Sequence, residues 1–172
     1  MSVCGMLLLS DPHFKRFRLT SLGQFSAVKR RLFSFFFLGA LFSGMFYGII
    51  NQENWFSLPR NSFNDWLLLL LLYPILSVMP QELIFRTYFF HRYKRIMPSK
   101  TVRIFVSASV FALAHIVYAN VLAVLLAFMG GLLFSYTYAK SRSTFVCVIE
   151  HSLWGLWMFT LGLGDVLDAG AI

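Results

Sequence analysis

Residues 66–90 read WLLLLLLYPILSVMPQELIFRTYFF. At about 1.5 Å of rise per residue, an α-helix of this length covers roughly 37 Å, enough to cross a hydrocarbon core of about 30 Å. Lipid offers an open backbone no hydrogen-bond partners, so helix is the expected form. Yet Glu82 and Arg86 interrupt the run, and an ionisable side chain inside a bilayer costs roughly 2.5–3.5 kcal/mol even on the mildest scale. Their i, i+4 spacing lets the two face each other and offset part of that cost. A structural ion pair is the plain explanation; a functional one needs partners on other segments. Pro74 and Pro80 precede the carboxylate and are expected to bend the helix or open its backbone locally.

Four further apolar segments approach spanning length: Leu32–Ile50, Val102–Tyr118, Val121–Ala139 and Thr144–Leu163. The expected fold is an all-α membrane protein, a bundle of about five transmembrane helices. Composition agrees, because 58% hydrophobic against 13% charged residues excludes an ordinary soluble domain. The formal net charge of +8 is accordingly read as topology and attraction to anionic lipid, with no nucleic-acid partner expected. Cys4 and Cys147 lie in unlike contexts and suggest no disulfide or metal pair. A cleaved signal peptide is not expected, because the short apolar run at the amino terminus lacks a basic segment before it.

The connections alternate in charge. Thirteen of the fifteen basic residues fall in the amino-terminal segment and in the second and fourth connections. The positive-inside rule makes that side cytoplasmic, placing the amino terminus inside and the carboxyl terminus outside. Residues 1–31 are expected as a basic cytoplasmic tail, with Lys29–Arg31 a topogenic flank, and residues 32–172 as the transmembrane domain. Residues 51–64 read as a polar loop. Trp55, Trp66, Tyr93, Tyr118, Tyr138 and Trp157 lie near segment ends, as interfacial anchors or packing residues. The expected location is a bacterial inner membrane.

Few strongly polar side chains remain inside the segments: Gln81, Glu82, Arg86, His115, Glu150 and His151. Counted from the cytoplasmic ends, Glu82, His115 and His151 stand roughly 14, 18 and 12 Å deep, so three helices bring them to a similar level. Ser107, Phe111 and His115 share one stripe, with Ala108 and Ala112 alongside. The fourth segment, carrying Ala127, Gly130, Gly131 and Ser135, reads as a packing helix. Glutamate and histidines that reach water suit general-base hydrolysis, the carboxylate taking a proton while imidazoles position the water. The same Glu82, His115 and His151 could instead hold zinc, although no His-Glu-x-x-His stretch is present. No Gly-x-Ser-x-Gly elbow occurs. Gly162-Leu163-Gly164-Asp165 is similar to the aspartyl membrane proteases, but no segment supplies a second aspartate.

Three motifs in order resemble the CAAX prenyl protease and bacteriocin-processing (CPBP, or Abi) family. Its pattern is Glu-Glu-x-x-x-Arg, then Phe-x-x-x-His on the next helix, then His-x-x-x-Asn on a later one. Gln81-Glu82-Leu83-Ile84-Phe85-Arg86 matches the first with Gln leading. Phe111-Ala112-Leu113-Ala114-His115 matches the second in full. His151-Ser152-Leu153-Trp154-Gly155 matches the third with Gly in place of Asn. Order and spacing agree over a core of about 66–163.

The resemblance implies an intramembrane endopeptidase that cuts a membrane-associated peptide or protein and needs no cofactor. Family members act on prenylated CAAX proteins, peptide pheromones or bacteriocin-related substrates, and some serve immunity. The leading glutamate is the family's expected base, so Gln81 leaves that role to Glu82 or to Glu150. His115 and His151 would serve the water and the transition state, with Gln81, Arg86 and Phe111 in support. The alternative is a non-catalytic scaffold or immunity protein of the same family.

Overall fold

The computed structural model describes residues 2–164; Asp165 and Asp168 lie outside the described residues, as does the rest of the carboxyl end. Among the described residues there is no strand. Five helices are long and apolar enough to cross a membrane: Ser26–Ile50, Phe63–Arg92, Lys100–Tyr118, Val121–Ser141 and Thr144–Leu161. The chain is an all-helical, multi-pass integral membrane protein. These five are spans one to five below.

Span two departs from a regular helix where its prolines stand. Tyr73–Val78 and Leu83–Tyr88 are π-helical, separated by one α-helical stretch, Met79–Glu82. Proline lacks a backbone donor and crowds the carbonyl one turn back. The chain absorbs this by lengthening its hydrogen-bond loops rather than breaking, and such π segments are frequent at functional sites. Glu82 closes the α-helical stretch between them.

Span three ends earlier than its composition suggests. The α-helix covers Lys100–Ala114, and His115 is its C-cap, opening a 3₁₀ turn, His115–Tyr118. Spans three and four then pack closely because Gly131 has no side chain: a Cβ there would stand 3.0 Å from Ala108 Cα. Hydroxyls bridge the same interface. Ser135 Oγ donates to Ser107 Oγ at 3.1 Å, and Ser107 Oγ donates to the Phe85 carbonyl at 2.7 Å. Such bonds between membrane helices contribute about 0.6–2 kcal/mol each. Spans three, four and five start from Ser99, Asn120 and Ser143, whose side chains accept from backbone N–H groups of the first turn.

The amino-terminal segment folds onto the bundle. A short apolar helix, Ser2–Ser10, precedes a 3₁₀ turn at Arg16–Leu19. Leu8 is buried, and Asp11 Oδ2 accepts from His91 Nε2 at 2.7 Å at the end of span two. Phe14 sets its ring edge-on to His91.

Residues 51–62 are likewise docked. Phe56 N–H donates to the Leu161 carbonyl at 3.1 Å, and Gly162 closes span five with φ +102°. A Cβ on Gly162 would overlap the Asn54 carbonyl, so the left-handed turn and the close approach both require glycine. The tryptophans near helix ends have satisfied N–H groups. Trp55 donates to the Gly44 carbonyl, Trp157 to Ser43 Oγ and Trp66 to Thr160 Oγ1. Tyr138 is buried as well.

Candidate active site

Glu82 and Arg86 are both fully buried. Arg86 Nε lies 3.3 Å from Glu82 Oε2, the i, i+4 ion pair the spacing implies. The guanidinium also lies over aromatic faces, its Cζ 4.3 Å from the Phe111 ring centroid and 5.5 Å from that of Phe134. Cation–π contacts shielded from water contribute about 2 kcal/mol. They matter here because none of the three guanidinium nitrogens has a hydrogen-bond acceptor.

The second carboxylate oxygen reaches another helix. His151 Nδ1 lies 2.8 Å from Glu82 Oε1. A carboxylate only accepts, so Nδ1 carries the hydrogen, and in the neutral imidazole Nε2 is the acceptor. Phe134 stacks on the imidazole at 4.5 Å between ring centroids and 18° between planes, fixing its orientation.

His115 is set in the same way from a different source. Its Nδ1 donates to the Phe111 carbonyl at 2.8 Å, and a carbonyl cannot donate, so Nε2 is again the acceptor. The C-cap position makes this possible, because the carbonyls of a last helical turn lack intrahelical partners. Phe111 lies between the two imidazoles, 4.5 Å from the His115 ring and 5.6 Å from the His151 ring.

Both histidines line one cavity of about 410 Å³, together with Tyr73, Phe111, Phe134 and Gly155. Its remaining wall is mostly aliphatic, including Leu126, Ala127, Met129, Leu133 and Met158. Glu82 is not part of the lining; it stands behind His151. Three of the expected residues from three spans therefore meet: a buried carboxylate, the imidazole it holds, and a second imidazole across the phenyl ring of Phe111.

Gln81 and Glu150 lie elsewhere. Gln81 Nε2 donates to Ser77 Oγ at 3.0 Å, one turn back on its own helix. Glu150 Oε1 lies 2.9 Å from Arg31 Nη2, and Thr137 Oγ1 bridges Arg31 to Glu150 Oε2. This corrects one expectation: Arg31 is more than a topogenic flank, since its guanidinium enters the bundle and pairs with Glu150. Span five supplies no cation of its own to Glu150; span one does. The buried carboxylate explains the arrangement: unpaired it would cost several kcal/mol, and the nearest long basic side chain offsets that.

Among the described residues no three His, Cys, Asp or Glu side chains gather closely enough to hold a metal ion. Glu82 is engaged by His151 and Arg86.

Sequence reasoning missed Tyr73, Phe134, Thr137 and Arg31. Phe134 and Thr137 sit on the span that reads as packing alone, and nothing in their spacing marks them. Tyr73 carried a weak signal, standing immediately before Pro74 in the distorted helix.

Residues 63–157 match the family described as type II CAAX prenyl endopeptidase Rce1-like. The match spans more than half the chain, and the chain belongs to this family of proteases. It bears out the CPBP resemblance. No curated protein and no solved structure matches the chain.

Proposed function

We propose that this protein is an intramembrane endopeptidase in which His151, held by Glu82, activates water. The observation that carries this reading is the 2.8 Å contact between His151 Nδ1 and Glu82 Oε1 at the wall of the cavity that His115 shares. His151 Nε2 takes a proton from water as the water oxygen bonds to the scissile carbonyl carbon. The imidazolium then passes the proton to the leaving amine as the C–N bond breaks, giving an acid and an amine. Glu82 orients the ring and balances the imidazolium charge, and Arg86 holds Glu82. Its neutral imidazole Nε2 lets His115 accept from the water and aim it.

Glu150 is a structural partner of Arg31 in this scheme rather than the base. Gln81 supports the helix through Ser77. The substrate is a membrane-associated peptide carrying an apolar group, because the wall beyond the imidazoles is aliphatic and aromatic. With the amino terminus in the cytoplasm, as the basic residues indicate, the reacting groups face the cytoplasmic half of the bilayer.

A second reading has its own support: Gln81 and Gly155 replace polar motif residues, as in a protein that kept the fold to bind rather than cut. Turnover separates the two. Purified protein in liposomes is incubated with a fluorogenic farnesylated peptide ending in a CAAX box, beside a His151→Ala variant. Cleavage is expected from wild type, lowered at least about 10²-fold in the variant and unaffected by a metal chelator. Absence of cleavage, or equal rates in both proteins, would leave the binding reading standing.

A further inference from the structure

The family's third motif ends in Asn, and here that position is Gly155. The structure gives the reason glycine stands there: a Cβ built on Gly155 would overlap Tyr73 Oη, Cε1 and Cζ. The phenol of Tyr73 fills the volume in which a side chain at position 155 would begin. Gly155 lies four residues beyond His151 on span five, so the two share one helix face. Both line the cavity, as does Tyr73 itself. The Tyr73 ring is edge-on to His151, with centroids 6.4 Å apart, and is fixed from behind by Phe159 at 5.4 Å. Its hydroxyl makes no hydrogen bond to any described residue, whereas most tyrosines removed from bulk water find a partner.

We infer that Tyr73 Oη is the oxyanion donor of this protease, occupying the space where a side chain at position 155 would begin. The inference rests on the hydrolytic reading above. When water adds to the scissile carbonyl, the carbonyl oxygen gains negative charge, and a fixed O–H on a largely apolar cavity wall stabilises it without reorganisation. The proton stays on the phenol throughout; only a hydrogen bond shortens. Tyr73 is the first residue of the π segment Tyr73–Val78, and such segments are frequent at functional sites. A side chain at position 155 and the Tyr73 phenol as placed cannot occupy the same space.

The test is steady-state cleavage of the farnesylated CAAX peptide by wild type, Tyr73→Phe, Tyr73→Ala and the Tyr73→Ala/Gly155→Asn double variant, all in liposomes. Tyr73→Phe keeps the ring on Gly155 and removes only the hydroxyl, so folding is preserved. Its kcat is expected to fall about 10²–10³-fold, as for loss of one oxyanion donor, with KM little changed. The double variant is expected to exceed Tyr73→Ala in kcat, because the smaller side chain frees the place and restores an amide donor. Wild-type kcat in Tyr73→Phe, with His151→Ala still inactive, would overturn the assignment of Tyr73 and leave the protease reading intact. A wild-type protein that does not cleave, or a His151→Ala variant as fast as wild type, would overturn both together.

Discussion

Glu82 Oε1 and His151 Nδ1 lie 2.8 Å apart, joining spans two and five inside the bundle. The same carboxylate is held from its other side by Arg86. Two substitutions at Glu82 therefore separate chemistry from folding. Glu82→Gln keeps the shape and loses the charge that steadies the imidazolium; kcat is expected to drop about 10²–10⁴-fold with modest loss of thermal stability. Glu82→Ala in addition leaves the buried guanidinium uncompensated, at a cost of about 3–5 kcal/mol. Turnover in liposomes and thermal unfolding in detergent read the two effects. Equal kcat in Glu82→Gln and wild type would remove the dyad.

Glu150 is expected to behave in the opposite way. Its partners are Arg31 and Thr137, and it is not part of the cavity lining. Glu150→Gln should keep kcat within about tenfold of wild type, a barrier change under about 1.4 kcal/mol. Stability should fall by about 1–3 kcal/mol, as for a buried hydrogen-bonded group that loses its charged partner. Arg31→Met should reproduce the stability loss. A rate collapse in Glu150→Gln with an intact melting transition would make Glu150 the base.

Packing of spans three and four depends on one missing methyl group. Gly131→Ala places Cβ 3.0 Å from Ala108 Cα and 3.3 Å from the Ala108 carbonyl oxygen, both backbone atoms that can yield only if the helices separate. The expected cost is about 1–3 kcal/mol, read as a lower melting temperature. At Gly130 the nearest atoms are the Phe134 ring at 3.2 Å, side chain rather than backbone, so Gly130→Ala should cost less. An equal or larger loss at Gly130 would contradict this packing.

The amino-terminal helix carries its own pH dependence. The His91 hydrogen bond, followed by the His13 backbone N–H, holds the Asp11 carboxyl at about 2, below its ordinary 3.8. A lowered folded value means the contact contributes fully above pH 3.8 and is lost as pH falls through about 2. Hydrogen exchange at Leu8–Ser10, corrected for intrinsic rates, should show constant protection above that window and a decline within it. Asp11→Asn should show weaker protection above the window and no acid step inside it. An acid step of unchanged size in Asp11→Asn would assign the pH dependence to another group.

The amino-acid sequence by itself determined the helical membrane class, the five spans, the ordered motifs and the Glu82–Arg86 pair. Each of these rests on local quantities: apolar length against bilayer thickness, and side-chain spacing within one helix. It also placed Glu82, His115 and His151 at one level, because depth follows from rise per residue. Tertiary structure alone decided which groups touch. Arg31 and Glu150 are 119 residues apart, and no periodicity within either helix announces the other. Tyr73 and Gly155 meet across spans two and five, and spacing within neither helix announces it. Rotation of one helix against another depends on every side chain at their interface, and spacing along a single chain carries no record of it.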